Sequence, residues 1–448
     1  MAEVQEAVHV GLFRNRAFLA VWAAQVLSQT AANAVTSALI ILVAELTHSN
    51  TSSSFLILLA IIPAVLFGIG AGVLVDRTDR RFVLVVTNAL RGVAVLPLLL
   101  AGTSLTTAYL VNFLVASVTI FFVPAESATI PGIVRKRDLL VANSLFTFTF
   151  NGSFLLGFII LAPIAVSLYG FEVLWGVIAA MFGISSVLCA TLPPSPPPQK
   201  AAHLISAELA ERAFTETRQG ISEAFHYLRG TPLVTWAMVY IALTYTLVAI
   251  AGALAPGFVR EVLRLGERNV VVLVGPAGIG VVVGLGVLNV VSRRIGRSHA
   301  IGLGLLVISI ALAAARPFAD VFANSQFGQF GGLAALGGAL PFFIGIVSVT
   351  AFVFGMAYSF ITVPAMTLLQ EELPEDIRGR VFGVLNSLVS IFSFLPLIIV
   401  GPIADVWGIA PVFVLAAAAV FGVWLAGRSA RLKSVTNVTP GASHAQLN

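Results

Sequence analysis

The chain has 448 residues, of which 58% are hydrophobic and only 10% are charged. Soluble proteins carry roughly 25% charged residues, so a chain this poor in charge has little surface that faces water. Its single cysteine, Cys189, excludes an internal disulfide framework and a thiolate metal cage, and no residue pattern predicts a metal site or a cofactor. The composition predicts an integral membrane protein.

Apolar stretches of bilayer length follow one another along the chain. Each predicts a helix, because backbone groups in lipid must be satisfied within the segment. The first half contains six, at about 17–46, 53–75, 83–101, 105–124, 141–169 and 172–192. The second half contains six more, at about 233–259, 270–291, 299–315, 340–369, 381–404 and 409–427. The predicted fold class is an all-α membrane protein with twelve transmembrane helices in two pseudo-symmetric six-helix bundles.

The domain organisation follows from a break in the middle of the chain. A proline-rich run at 193–198 ends the sixth span, since a helix interior does not tolerate it, and a charged stretch with apolar residues at helical spacing comes next. We predict an N-terminal bundle at 1–192, a cytoplasmic linker with an amphipathic helix at 193–230, a C-terminal bundle at 231–430 and a disordered cytoplasmic tail at 431–448.

The basic residues predict the orientation. With the N-terminus inside, nearly all of the 25 Lys and Arg residues fall on the cytoplasmic side, as the positive-inside rule requires. Both termini are then cytoplasmic, in a multi-pass protein of the plasma (inner) membrane. The net charge of +5 reflects this topology and gives no reason to expect a nucleic-acid partner.

The two halves repeat one design. Val-Pro-Ala at 123–125 recurs at 363–365, and Asn-Ser-Leu at 143–145 recurs at 386–388, in the same order along each half. A basic hairpin follows the second span at 76–81 and the eighth at 293–297. Parallel six-helix halves with a site near the middle of the membrane suit alternating access.

The first hairpin carries a recognisable pattern. Gly72-x-x-x-Asp76-Arg77-x-Asp79-Arg80-Arg81 resembles the loop signature of the major facilitator superfamily, although Asp79 stands where that family usually has Gly. The segment 12–22, the proline-containing end of the fourth span and Arg-Gly-Arg-Val at 378–381 resemble the exporter branch that includes enterobactin and macrolide efflux proteins. The resemblance implies the major facilitator fold and secondary transport. The fourth span differs from proton-coupled multidrug antiporters of the family, which usually carry an Arg there, because 105–122 has no charge.

Amide side chains form a stripe on the first span at i, i+4 and i+8. Such groups must find partners in lipid, so the stripe faces either an interhelical seam or an aqueous cavity, and the resemblance implies the cavity. The fifth span repeats the spacing, with packing and substrate contact equally open, and the repeat offset points to a pair on the seventh. The predicted substrate-cavity residues are Gln25, Gln29, Asn33, Asn143, Asn151, Thr244 and Tyr245.

The charged hairpins are either membrane anchors or a gate. The resemblance implies a gate, in which the acid of the loop pairs with a neighbouring Arg and with the N-terminus of the eleventh helix. The predicted cytoplasmic gate comprises Asp76, Arg77, Arg80, Arg81, Arg293, Arg297 and Arg380.

Two ionisable residues lie near the spans of the first half. Arg91 is two turns into the third span, and we expect it to snorkel back to the interface instead of pairing with an acid such as Glu126. Glu126 follows Pro124 and is expected at the interface. It is nevertheless the candidate for proton coupling, because ionisable groups in membranes are retained for function. The alternatives are movement of the substrate down its own gradient or together with another ion.

These features predict a secondary active transporter that exports an amphipathic or hydrophobic small molecule as a monomer in the bilayer. A lipid or lysophospholipid translocase of the same fold is the alternative. A receptor or an intramembrane enzyme is less favoured, because an enzyme needs a catalytic cluster at mid-span and the sequence shows none. The expected partners are the small-molecule substrate, the lipid bilayer and a coupling proton or cation.

Overall fold

The computed structural model describes residues 12–100, 103–194, 227–295, 297–324, 339–373 and 375–436, apart from some side chains inside the helices. Within these ranges the regular structure is helical and contains no strand. Most of the predicted linker, 195–226, and the end of the predicted tail, 437–448, lie outside the described residues.

Twelve α-helices make up the described chain. In the first half they are α1 Arg16–Thr47, α2 Asn50–Asp76, α3 Arg80–Leu100, α4 Leu105–Ile133, α5 Leu139–Phe154 and α6 Ala162–Ala190. In the second half they are α7 Pro232–Glu261, α8 Val271–Ile295, α9 Arg297–Asn324, α10 Ala339–Glu372, α11 Glu375–Trp407 and α12 Ile409–Thr436. The last helix continues past residue 430, where the predicted tail begins.

The boundary between the fifth and sixth spans lies inside α6. A π-helical segment, Leu155–Leu161, joins α5 to α6, and the helix then breaks at Gly170, which has φ 80° and ψ 176°. A positive φ of this kind is accessible to glycine at no steric cost. The predicted boundary between 169 and 172 therefore coincides with the one residue of this stretch that can turn the chain.

The helices have the length and polarity of membrane spans. Nine described stretches are long and apolar enough to cross a bilayer, and one of them, Val141–Ala190, has 50 residues and so contains the fifth and sixth spans together. Shorter apolar helices at Asn50–Ala64 and His299–Ala313 belong to α2 and α9. The prediction of an all-α membrane protein is confirmed.

The chain divides into two compact units. The first contains α1 to α6 together with residues 266–271, and the second contains α7 to α12. In the first unit α1 contacts α2, α4, α5 and α6, so this helix is central and largely buried. In the second unit α7 packs against α10, α11 and α12.

Glycines allow the closest helix contacts. A Cβ atom at Gly280 or Gly284 of α8 would overlap the backbone of α10 at Phe352 and Met356, so these glycines permit direct contact between the two helices. Small residues commonly permit such close helix contacts in membranes. A Cβ atom at Gly72 of α2, in contrast, would meet no other atom within 4 Å.

Candidate functional site

The predicted amide stripe lies on the buried face of α1. Gln25 donates from Nε2 to the Phe146 carbonyl of α5 at 3.2 Å, and Asn33 donates from Nδ2 to the Gln29 carbonyl at 2.8 Å. Gln25 Oε1 and Gln29 Nε2 are buried without a hydrogen-bond partner. One acceptor and one donor, a helical turn apart, are therefore left for water or a ligand.

The stripe ends against the π-helical segment. A Cβ atom at Gly157 would overlap the Thr30 carbonyl and approach the Asn33 Cβ to 2.9 Å, so α1 and this segment meet backbone to backbone. Single π-helical turns inside α-helices are frequent at functional sites. On α5, Asn143 is exposed, whereas the Asn151 side chain lies outside the described part of the chain.

The predicted pair on α7 separates into a core residue and a partly exposed one. Thr244 is buried, and its hydroxyl donates to the Tyr240 carbonyl of its own helix at 2.7 Å. Tyr245 is half-buried and meets Tyr358 of α10 edge to face, with ring centroids 6.4 Å apart. Of the two, Tyr245 is the better placed to touch a ligand.

The arginines of the first hairpin bind helix C-termini within the first unit. Arg80 donates from Nη1 to the Ala128 carbonyl of α4 at 2.7 Å, and Arg81 donates from Nη2 to the Ala190 carbonyl of α6 at 2.5 Å. Helix C-termini carry partial negative charge, so both contacts are favourable. Arg77 caps α2. The side chains of Asp76, Arg293, Arg297 and Arg380 lie outside the described residues, and the gate stays a prediction.

Arg91 contradicts the expectation that it snorkels to the interface. Its side chain is 0% exposed, and its guanidinium lies over the rings of Phe122 and Phe182, 4.3 and 4.9 Å from their centroids. The reason is depth. Helix α3 begins at Arg80, which places Arg91 about 16 Å further along the axis at 1.5 Å per residue, beyond simple return to the helix end.

Three hydrogen bonds hold Arg91 inside the first unit. Nε donates to the Thr87 carbonyl at 3.3 Å, and Nη2 donates to Ser28 Oγ of α1 at 2.8 Å and to Asn88 Oδ1 at 2.9 Å. Nη1 is buried without a hydrogen-bond partner. The sequence contained one signal for this network, since Asn88 and Arg91 are three residues apart on an apolar helix and so share a face.

Glu126 is buried rather than interfacial. It is 5% exposed because α4 continues through Pro131 to Ile133, two turns beyond the predicted end of the span. Its Oε1 atom has no hydrogen-bond partner, and its carboxyl group is close enough to interact electrostatically with Arg91 and with Cys189 of α6. Arg91 and Glu126 are nevertheless not in direct contact as an ion pair.

A second charged cluster, not predicted from the sequence, lies at the C-terminal end of α1. Arg268 binds Glu45 with two nitrogens at 2.8 to 3.1 Å, and its guanidinium lies 5.3 Å from the ring centroid of Phe171. His48 Nδ1 lies 2.7 Å from Oε1 of Glu267, which is buried. These contacts attach residues 266–271 to the first unit.

Known proteins share both the sequence pattern and the fold. The sequence profile of the Major Facilitator Superfamily matches residues 21–397. An uncharacterized MFS-type transporter of Bacillus subtilis (strain 168), YfiS, is 22% identical over 413 residues, which cover 90% of this chain and 91% of that protein.

Two solved structures illustrate the similarity in fold. The nucleoside transporter NupG has a TM-score of 0.65 at 15% identity, over 92% of this chain and 98% of NupG. The POT family transporter PepTSo has a TM-score of 0.66 at 12% identity, over 94% of this chain and 99% of PepTSo. At these identities the likeness concerns the fold and not the substrate.

Proposed function

The chain belongs to the major facilitator superfamily, and from that premise we propose that it is a secondary active transporter that exports an amphipathic or hydrophobic small molecule by alternating access. Membership makes it a multi-pass membrane transporter and not an enzyme. The class of cargo, the direction and the coupling are the proposed parts.

The observation that carries the cargo class is the pair of unsatisfied amide atoms on α1. Gln25 Oε1 can accept a hydrogen bond and Gln29 Nε2 can donate one, and both are neutral. A buried amide without a partner costs free energy, so this face favours a ligand that completes the two bonds. With Tyr245 as an aromatic contact, the predicted cavity residues include no charge. A largely apolar molecule with one or two hydrogen-bonding groups fits them best.

Export and orientation are supported by the sequence. The segments 12–22 and 378–381 resemble the exporter branch of the superfamily, and the basic residues favour cytoplasmic termini in the plasma membrane. We propose that the hairpin residues Asp76 and Arg77 act in a cytoplasmic gate, together with Arg80, Arg81, Arg293, Arg297 and Arg380, and that the protein works as a monomer.

The gate has its own test. Removing the acid at the inner end of α2 should weaken closure on the cytoplasmic side, so Asp76→Asn should shift the protein toward inward-open forms. We expect faster labelling of single cysteines introduced on the cytoplasmic side. Labelling rates equal to those of the parent would remove Asp76 from the gate.

Transport itself is tested in proteoliposomes with a panel of compounds. The panel contains amphipathic fluorescent dyes, nucleosides, dipeptides and a fluorescent lysophospholipid. We expect the dyes to move, and Gln29→Leu to raise their KM roughly 2- to 10-fold, which is the net effect of one hydrogen bond. The matched control is Thr367→Val, because the Thr367 hydroxyl donates to the Val363 carbonyl of its own helix and Thr367 is not a predicted cavity residue. Movement of the lysophospholipid alone would replace this proposal with the lipid translocase.

A further inference from the structure

Helices α3 and α4 each bury a charged side chain with a polar atom that has no hydrogen-bond partner. The Arg91 guanidinium has five N–H donors, of which Nη1 carries two, and Nη1 has no partner. Glu126 Oε1 on α4 likewise has none. Both side chains are buried, so water at the surface does not satisfy either group.

Among the described side chains, the surroundings of Glu126 supply no nearby counter-charge other than Arg91. Its titratable neighbours are Arg91 of α3 and Cys189 of α6. The helices packed against α4 add few other charges, all near helix ends: Arg16 and Glu45 on α1, Asp76 on α2 and Arg80 and Arg81 on α3, with none on α5. Of these, Arg80 donates a hydrogen bond to the Ala128 carbonyl. Among the described side chains, Arg91 is therefore the cation available to Glu126.

The observed contacts suit a protonated Glu126. Phe122, whose ring centroid lies 4.3 Å from the Arg91 guanidinium, is one helical turn before Glu126 on α4, so the two groups are neighbours. A carboxylate next to a guanidinium with two unused N–H groups would form the short, charge-assisted bond that such pairs favour. Arg91 instead donates to Ser28 and Asn88, which are neutral. A protonated, neutral Glu126 carboxyl group has no charge to attract Arg91, so the absence of a direct bond between them is expected.

We propose that Arg91 is the positioning residue that transmits the proton occupancy of Glu126 to α1. When Glu126 loses its proton to the aqueous phase, Arg91 turns toward the carboxylate and gives up its bond to Ser28. Ser28 lies between Gln25 and Gln29 on the helix that carries the proposed ligand contacts. This inference rests on the proposed transport function and adds its coupling step, in which only hydrogen bonds and one proton change place.

The test measures the proton affinity of Glu126 without any substrate. Full-length protein in lipid is titrated by infrared spectroscopy, which detects the band of a protonated carboxyl group, and Glu126→Gln identifies that band by removing it. We expect Arg91→Met to raise the proton affinity at least about tenfold, because the carboxylate loses its cation. We expect Ser28→Ala to lower it about 2- to 10-fold, because Arg91 loses a competing acceptor.

The two substitutions should change the proton affinity of Glu126 in opposite directions, which a purely structural role of Arg91 would not produce. Thr246→Val, in the second unit, is the control and should leave the titration unchanged. Arg91→Lys, which keeps the charge but not the fork of donors, should give a smaller rise than Arg91→Met and serves alone if the latter does not fold. An unchanged proton affinity in Ser28→Ala and Arg91→Lys would overturn the proposal. Because no substrate is present, this outcome is independent of the transport panel.

Discussion

The two units share a fold but differ in the polar groups that they bury. Among the described side chains, the first unit buries amides and charged groups, namely Gln25, Gln29, Asn50, Asn88, Asn112, Arg91, Glu126 and Glu267. The second unit buries only hydroxyl groups of Ser and Thr apart from tyrosine, namely Thr244, Thr246, Ser309, Ser359, Thr362 and Ser393.

The difference matters because a helix can satisfy a hydroxyl by itself. Thr244 and Thr246 donate to carbonyls four residues earlier in α7, at 2.7 and 2.8 Å. Amides and charged groups have more donors and acceptors than one helix offers, so they bind neighbouring helices or stay unsatisfied. Polar groups that a ligand or a proton can rearrange are therefore concentrated in the first unit.

The strongest test of this contrast is Arg91→Met against Ser309→Ala. When Glu126 is ionised, the Arg91 variant buries a carboxylate without its cation, which costs about 3–5 kcal/mol of unfolding free energy. When Glu126 is protonated the cost should largely disappear, so the loss grows as pH rises. Unfolding of the purified protein in mixed micelles at several pH values measures it.

The control removes a single hydroxyl bond in the second unit, from Ser309 to the Ala417 carbonyl. Its effect should be small and the same at every pH, since no titratable group is involved. A loss for Arg91→Met that does not change with pH would show that ionisation of Glu126 contributes nothing to it.

Glycine contacts should behave alike in both units. Gly157→Ala would force a methyl group into α1, and Gly355→Ala would force one into the Ala277 backbone of α8. Overpacking of this kind costs about 1–3 kcal/mol. Gly152 and Gly345 have open space around them, so alanine there should be neutral or slightly stabilising. Thermal unfolding of the four variants would show whether the units differ in packing as well as in polarity.

A smaller effect is expected from the charges at the end of α1. Glu45 and Arg268 are partly exposed, with 33% and 48% of their side chains accessible. A double-mutant cycle with Glu45→Ala and Arg268→Ala should give a coupling of at most about 1 kcal/mol, and high salt should weaken it. A coupling energy that does not fall in high salt would show that the Glu45–Arg268 pair is shielded from solvent like the buried charges.

The smallest effect should come from the second unit. Thr246 and Ser393 hydroxyls lie 3.0 Å apart and join α7 to α11. In membranes such bonds contribute about 0.6 kcal/mol on average. A cycle with Thr246→Val and Ser393→Ala measures the coupling by unfolding. A value above about 2 kcal/mol would show that the second unit also depends on a polar interior.

Sequence alone predicted the helices but not their partners. Hydropathy marks where a span crosses the bilayer, and Gly170 was correctly bracketed between two spans. Hydropathy marks the ends of helices poorly, because a helix continues after its apolar run stops. The ends of α3 and α4 were therefore misplaced, and with them the depth of Arg91 and Glu126.

Contacts between helices were beyond sequence reasoning. The bond from Arg91 to Ser28 joins residues 63 positions apart, and nothing in either helix alone specifies it. The amide stripe on α1 was predicted as a face, yet which atoms stay unsatisfied depends on how α5 packs against it. Polar residues in a span indicate that partners exist, whereas helix packing decides which partners they are.

Residues 266–271 complete the first unit but lie after α7 in the chain. The ribosome therefore releases every helix of that unit before it makes the segment that binds Glu45 and His48. A nascent chain that has reached only α6 presents the C-terminal end of α1 without Glu267 and Arg268. The first unit therefore folds in two stages during synthesis. Its last segment, residues 266–271, is made only after α7 of the second half.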